Sequence, residues 1–85
     1  MSILREKVQL DVKKVIGEYL KTDNLSLVET ESRLVDDLGA DSLDLIDVAF
    51  EIEEHFKITL SDLDIEKANT VEDYINMVYK ELTHG

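Results

Sequence analysis

The chain has 85 residues with no cysteine and no proline, and its 20 acidic and 9 basic side chains give a formal net charge of −11. The missing cysteines exclude a disulfide framework, a thiol nucleophile and a zinc–thiolate site. The negative charge argues against nucleic acid and anionic membranes as partners, and it favours proteins with basic patches. The length predicts a single domain over residues 1–85. With no long apolar run and no apolar leader, we expect a soluble, mature protein that is not an integral membrane protein.

Helical periodicity is the dominant pattern, whereas β-branched residues do not alternate over any useful length. Four segments have helical spacing or helix-start signals, and the predicted helices cover residues 3–20, about 42–56, 62–67 and 70 onward. Ser2 and Ser61 are placed as N-caps of the first and third helices. Thr70 and Asp73 have the spacing of a capping box at the start of the last helix. The predicted fold is an all-α four-helix bundle of three long helices and one short helix.

The connection between the first two helices is unusually long. It spans about twenty residues, 21–41, and connections of that length are usually functional or disordered. Disorder is not expected, because the segment contains six leucine and valine residues: Leu25, Leu27, Val28, Leu34, Val35 and Leu38. We expect these side chains to hold the loop across the bundle. The loop ends at Gly39, which can take backbone angles that other residues avoid, just before Ser42.

The second helix has two apolar stripes when its residues are placed at about 100° intervals. The face expected to pack in the core consists of Leu45, Val48, Ala49, Ile52 and Phe56. The second stripe, roughly 140° away by the same count, consists of Leu43, Ile46 and Phe50, with Asp44, Asp47, Glu51 and Glu54 along one side and Glu53 along the other. A helix in a small bundle buries one broad face, so the second stripe is predicted to be an exposed docking surface for basic partners. The alternative is that this stripe packs beneath the long loop.

Ser42 admits three interpretations. A hydrolytic nucleophile is rejected, because GADSL is not the G-x-S-x-G elbow and His55 lies roughly 20 Å further along the same helix. Local spacing favours Ser42 as the N-cap of the second helix, with Asp41 and Asp44 forming a further D-x-x-D box. The third interpretation is a serine displayed for modification by another protein, because a phosphate group is stabilised at a helix N-terminus.

The segment LGADSLD, residues 38–44, resembles the attachment motif of acyl carrier proteins. The DSL core is short, but it lies within a seven-residue match, follows a long loop and heads an acidic helix that ends EIEEHFKI. The likeness extends to VIGEYL in the first helix and to EKANTVEDYI at the start of the last. The resemblance implies that Ser42, between Asp41 and Leu43, bears 4′-phosphopantetheine through a phosphodiester. The terminal thiol of that arm would hold acyl groups as thioesters.

The resemblance also implies partners and a role. A separate phosphopantetheinyl transferase, the holo-carrier-protein synthase, would install the arm from coenzyme A with a divalent metal, so Ser42 needs no internal base. The expected function is delivery of growing acyl chains to the enzymes of fatty acid biosynthesis and to acyltransferases with basic patches, without catalysis by the chain itself. The second stripe and its acids fall where this family docks its enzymes. We expect a cytoplasmic monomer, bacterial or, as the alternative, the mature form of an organellar protein.

Two other roles remain open: a carrier for a polyketide, aminoacyl or specialised lipid pathway, and an unmodified acidic interaction domain. Four positions depart from the family pattern, and they leave the preferred acyl chain length open. Leu34 stands where the family usually has phenylalanine, Ser61 replaces a proline, Ala68 a larger aliphatic residue and Leu63 a commonly polar one. The carboxylates at 36, 37, 41, 44 and 47 do not fit an EF-hand loop, so no specific metal site is predicted.

Overall fold

The computed structural model describes residues 5–20 and 33–84 of the chain. Four helices occur in these ranges: α1 (Arg5–Tyr19), α2 (Ser42–Phe56), α3 (Asp62–Lys67) and α4 (Val71–His84). The helix α1 packs against both α4 and α2, and α3 contacts α2. This arrangement confirms the predicted all-α bundle of three long helices and one short helix. No helix in the described ranges is both long and apolar enough to cross a membrane.

Some predicted features lie outside the described residues, namely the Ser2 cap and the loop residues Leu25, Leu27 and Val28. Within the described part, α1 ends at Tyr19, one residue before the predicted end, and Leu20 is in a turn. Such a difference is normal, because helix ends fray. The element boundaries of α2, α3 and α4 agree with the prediction to within a residue.

The core is apolar and draws on all three long helices. Its largest fully buried side chains are Tyr74, Ile16, Leu34, Ile52, Ile75, Val8, Val12, Val48, Val71 and Val78. None of the buried residues in the described ranges is charged. Removing this apolar surface from water is the main force that holds the helices together.

The end of the long loop is held against the start of α4. Leu34 is fully buried, and its N–H donates to the Asn69 carbonyl at 3.0 Å, beside an isolated antiparallel bridge between Arg33 and Thr70. The expectation that Leu34 anchors the loop is therefore confirmed. The same expectation is wrong for Val35, which is 45% exposed. The chain turns directly after Leu34, so only one of the two neighbouring side chains enters the core.

The short helix α3 has a weaker start than predicted. Ser61 occupies its N-cap position, but the Ser61 side chain makes no capping hydrogen bond. Leu63 is 65% exposed, whereas Leu60 and Ala68, on either side of the helix, are buried. The helix α3 is thus attached to the core mainly by the residues that flank it.

The helix α2 has the two faces that its sequence predicts. Val48, Ala49 and Ile52 are buried, with Leu45 and Phe56 partly buried against them. The opposite stripe is exposed: Leu43 by 71%, Ile46 by 46% and Phe50 by 60%. We call these three residues the docking stripe. Phe56 was expected in the core, but this last residue of the helix is only partly buried against it. Its ring packs edge-on against His55, with 4.8 Å between the ring centres.

The predicted capping box at the start of α4 is present. The Asp73 N–H donates to the Thr70 hydroxyl at 3.2 Å, and the Asp73 carboxylate accepts the N–H groups of Thr70 at 3.0 Å and Asn69 at 2.8 Å. Partial burial acts to raise the pKa of Asp73, but the hydrogen bonds from Thr70 and Asn69 outweigh it and hold the pKa below its ordinary value. The ionised carboxylate therefore stabilises the folded state.

The two faces of α2 should respond differently to truncation. We expect Ile52→Ala to lower the free energy of unfolding by about 2–5 kcal/mol, because it leaves a cavity in the core. Ile46→Ala should cost about 1 kcal/mol or less, because much of that side chain is already in water. Urea unfolding of both variants measures the difference. Equal destabilisation would place the docking stripe in the core and require another docking surface.

The capping box of α4 should make stability depend on pH. Because the folded-state pKa of Asp73 is lowered, its contribution is complete above the ordinary pKa of about 4 and is lost as the pH falls through the lower folded-state value. Asp73→Asn should therefore be less stable than the parent at pH 7, and the gap should narrow below about pH 4. Urea unfolding across this range measures the gap. The control is Glu72→Gln, which changes an exposed neighbour. A difference in unfolding free energy between Asp73→Asn and the parent that does not change with pH would contradict the explanation.

Candidate functional site

The start of α2 is closed by Asp41 rather than by Ser42. The Asp41 carboxylate accepts the Asp44 N–H at 2.9 Å, and the Asp44 carboxylate accepts the Asp41 N–H at 3.1 Å, which makes a reciprocal capping box. The interpretation of Ser42 as the N-cap is therefore wrong, and Ser42 is the first residue of the helix. Aspartate and serine are about equally good N-caps, so local spacing could not separate adjacent candidates.

Ser42 is exposed at this first turn, as are its neighbours Asp41 and Leu43. The cap is made without the Ser42 hydroxyl. The first N–H groups of a helix lack partners within it and lie at the positive end of its dipole, which favours a phosphate group there. His55 is at the opposite end of α2 and cannot act as a base for Ser42. This geometry suits a hydroxyl that accepts a group from another protein, not one that attacks a substrate unaided.

The junction before Ser42 is held by backbone geometry. Gly39 has a φ of +76°, as expected for a residue that must take left-handed angles, and a Cβ at this position would meet nothing within 4 Å. Glycine is therefore favoured for its conformation and not for lack of space. The next residue, Ala40, is buried, and its N–H donates to the Leu34 carbonyl at 2.8 Å. Ser42 thus projects into solvent from a junction that is anchored in the core.

The acids beside the docking stripe fall into two groups. Asp47, Glu51 and Glu54 are exposed. Asp44 and Glu53 are half-buried and bind backbone, Asp44 in the capping box and Glu53 by accepting the Leu60 N–H at 2.7 Å. The first group presents charge to solvent, while the second also holds the fold. Within residues 5–20 and 33–84, no group of three or more side chains is arranged to hold a metal ion.

The docking stripe continues into a concave surface. An open cleft of about 380 Å³ lies toward the C-terminal end of α2, and it is lined by Phe50, Glu53, Glu54, Ile58 and Thr59. The cleft combines an aromatic ring and an aliphatic side chain with two carboxylates. Its chemistry is therefore the same as that of the stripe, apolar with an acidic edge.

Tyr19, at the end of α1, contacts an acid beside the docking stripe. Its hydroxyl donates to the Asp47 carboxylate at 2.7 Å. This hydrogen bond, with a smaller effect of burial and of the charges on Asp47, Asp44 and Asp41, raises the pKa of Tyr19 to about 12. No local spacing could have placed it here, because Tyr19 and Asp47 are 28 positions apart.

Comparison with known proteins identifies several relatives. Residues 11–78 match the family described as the phosphopantetheine attachment site. An acyl carrier protein of Thermotoga maritima is 42% identical over 78 residues, which cover 92% of this chain and 95% of that protein. Another, of Desulforapulum autotrophicum, is 45% identical over 74 residues, which cover 87% and 96%. A solved structure from Mycobacterium tuberculosis, described as a candidate acyl carrier protein, has a TM-score of 0.77 at 34% identity, over 84% of this chain and 93% of that one.

These matches cover most of the chain, and they agree with the resemblance seen in LGADSLD. They confirm the predicted cofactor, a covalently bound 4′-phosphopantetheine. A protein with such an arm requires a phosphopantetheinyl transferase to install it and acyl-handling enzymes to use it. The chain belongs to the acyl carrier protein family and carries acyl groups on a phosphopantetheine arm.

Proposed function

We propose that this chain carries growing acyl chains for fatty acid biosynthesis on an arm attached to Ser42. The observation that carries the proposal is the position of Ser42, exposed at the first residue of α2 and next to a cap that Asp41 and Asp44 close without its hydroxyl. The hydroxyl is therefore accessible to a second protein, while the backbone that bears it is anchored through Ala40 and Leu34.

The Ser42 hydroxyl is the acceptor in the attachment step. Its oxygen forms a bond to the phosphorus that bears the pantetheine of coenzyme A, the bond from that phosphorus to the nucleotide breaks, and a base of the transferase takes the hydroxyl proton. The N–H groups at the start of α2 favour the negative charge of the resulting phosphodiester, while Asp41 and Asp44 oppose it. The arm supplies the thiol that holds acyl groups, which this chain cannot supply because it has no cysteine.

The docking stripe is the proposed contact for partner enzymes. Leu43, Ile46 and Phe50 are exposed large apolar residues on one face of α2, and the exposed carboxylates of Asp47 and Glu54 lie alongside. Burial of these apolar side chains against a partner removes apolar surface from water, which favours binding. Carboxylates beside them attract basic patches and speed encounter. Asp44, Glu51 and Glu53 add to the same negative field, although Asp44 and Glu53 are also bound to backbone.

The proposed pathway rests on the relatives, which are bacterial proteins named acyl carrier protein. This chain matches most of the length of each of them. Their source also supports the expected cytoplasmic location. Mass spectrometry of the protein isolated from its native cell tests the pathway. Saturated and 3-hydroxyacyl chains that differ by two-carbon units would support fatty acid synthesis. Polyketide or aminoacyl thioesters would assign the carrier to another pathway.

Attachment should depend on Ser42 alone. We expect Ser42→Ala to keep its helical content but to gain no mass when incubated with coenzyme A, Mg²⁺ and a phosphopantetheinyl transferase, because the acceptor oxygen is gone. Ser61→Ala, which removes an exposed hydroxyl at the start of α3, should be loaded like the parent. Intact mass spectrometry reads both results. An arm on the Ser42→Ala protein would refute the assignment.

Docking should be electrostatic and local to α2. We expect Glu54→Lys to slow association with the transferase by about tenfold at low salt, and to flatten the salt dependence, because it reverses a charge beside the docking stripe. Glu72→Lys on α4 changes the net charge equally and is the control. Stopped-flow association at several salt concentrations measures both, with circular dichroism to check the fold. Equal effects of the two variants would indicate that only net charge matters.

A further inference from the structure

The hydrogen bond between Tyr19 and Asp47 joins the end of α1 to the outer side of α2. Its length of 2.7 Å is that of a charge-assisted bond from a hydroxyl to a carboxylate. Tyr19 is half-buried, and Asp47 is exposed beside the docking stripe. An exposed aspartate normally samples several rotamers, so the bond selects one orientation for this charge.

Asp47 differs in this respect from the other exposed acids of α2. In the part of the chain that the structure describes, no hydrogen bond holds the carboxylate of Glu51 or Glu54, whereas Asp47 has a donor from another helix. Among the described residues, the other polar contact between α1 and α2 is the pair Asp11–His55, at 4.0 Å, a separation longer than a hydrogen bond. Among the exposed acids of α2, and within residues 5–20 and 33–84, Asp47 is therefore the one whose carboxylate is held by a side chain of another helix.

The bond can persist while Asp47 binds a partner. A carboxylate has about four lone-pair sites, and the Tyr19 hydroxyl uses one on Oδ2. The remaining sites, including those of Oδ1, can accept from an ammonium or guanidinium group. Tyr19 is also a donor at neutral pH, because the ordinary pKa of tyrosine is about 10 and that of Tyr19 is raised further, to about 12. A carboxylate that is already oriented avoids the entropy cost of being ordered when the partner binds.

We propose that Tyr19 is a positioning residue for partner docking, whose hydroxyl orients the Asp47 carboxylate so that a basic side chain of the partner enzyme meets a charge already in place. The inference rests on the proposed function, in which Asp47 belongs to the docking surface. Tyr19 acts through Asp47 and does not have to touch the partner. The occupant is a basic protein surface, such as that of the transferase that modifies Ser42.

The test is a double-mutant cycle on the full chain, with the carrier as the varied substrate of a phosphopantetheinyl transferase. Tyr19→Phe keeps the ring and removes the hydroxyl. It should raise KM about two- to tenfold and leave kcat unchanged, because binding is weakened equally in the ground and transition states. Asp47→Ala should raise KM at least as much. The KM of the double variant should match that of Asp47→Ala to within about twofold, because no carboxylate is left to orient.

Tyr79→Phe is the matched control, because no hydrogen bond among the described residues joins the Tyr79 hydroxyl to α2, and it should leave KM unchanged. The outcomes separate the two proposals. If Asp47→Ala leaves KM unchanged, Asp47 is not part of the docking surface, and both the proposal for that residue and the inference fail. If Asp47→Ala raises KM but Tyr19→Phe does not, only the inference is overturned. A Tyr19→Phe effect of the same size in both backgrounds would also overturn it, since a structural role would not depend on Asp47.

Discussion

The reciprocal hydrogen bonds between Asp41 and Asp44 determine where α2 begins, and the candidate site depends on that position. With both side chains committed to the cap, Ser42 becomes the first residue of the helix and its hydroxyl is not needed for local structure. A cap at Ser42 would have turned the same hydroxyl toward the backbone. The one-residue difference therefore separates a structural serine from one that another protein can modify.

The acidic side chains differ in what their carboxylates bind. The carboxylates of Asp41, Asp44, Glu53 and Asp73 accept backbone N–H groups, so their charge stabilises specific turns and helix ends. Exposed carboxylates such as Glu51 and Glu54 have no such role among the described residues. With a net charge of −11, the exposed group adds self-repulsion that a small core must offset. Under the proposed function, a basic partner relieves that repulsion when it docks.

Local sequence patterns were sufficient for several features. The apolar periodicity of α2 predicted two faces, and the structure buries Ile52 while it exposes Ile46 and Phe50. The spacing of Thr70 and Asp73 predicted a capping box that is present. These features depend on residues within one or two turns of each other, whose relative positions are fixed once the helix forms. The motif around Ser42 is equally local, and it indicated the family before any contact was known.

Other features were decided only by the tertiary structure. Burial of Leu34 and exposure of Val35 depend on where the loop meets α4, and two adjacent apolar residues do not differ in any local pattern. The half-burial of Phe56, the last residue of α2, depends on how that end of the helix meets the core. The bond between Tyr19 and Asp47 joins residues 28 positions apart. The sequence by itself determined the helices, their apolar faces and the family motif, because these are set within short stretches of chain. The packing of α1 against α2 decided which carboxylate beside the docking stripe is held in place, because that contact exists only once the helices have met.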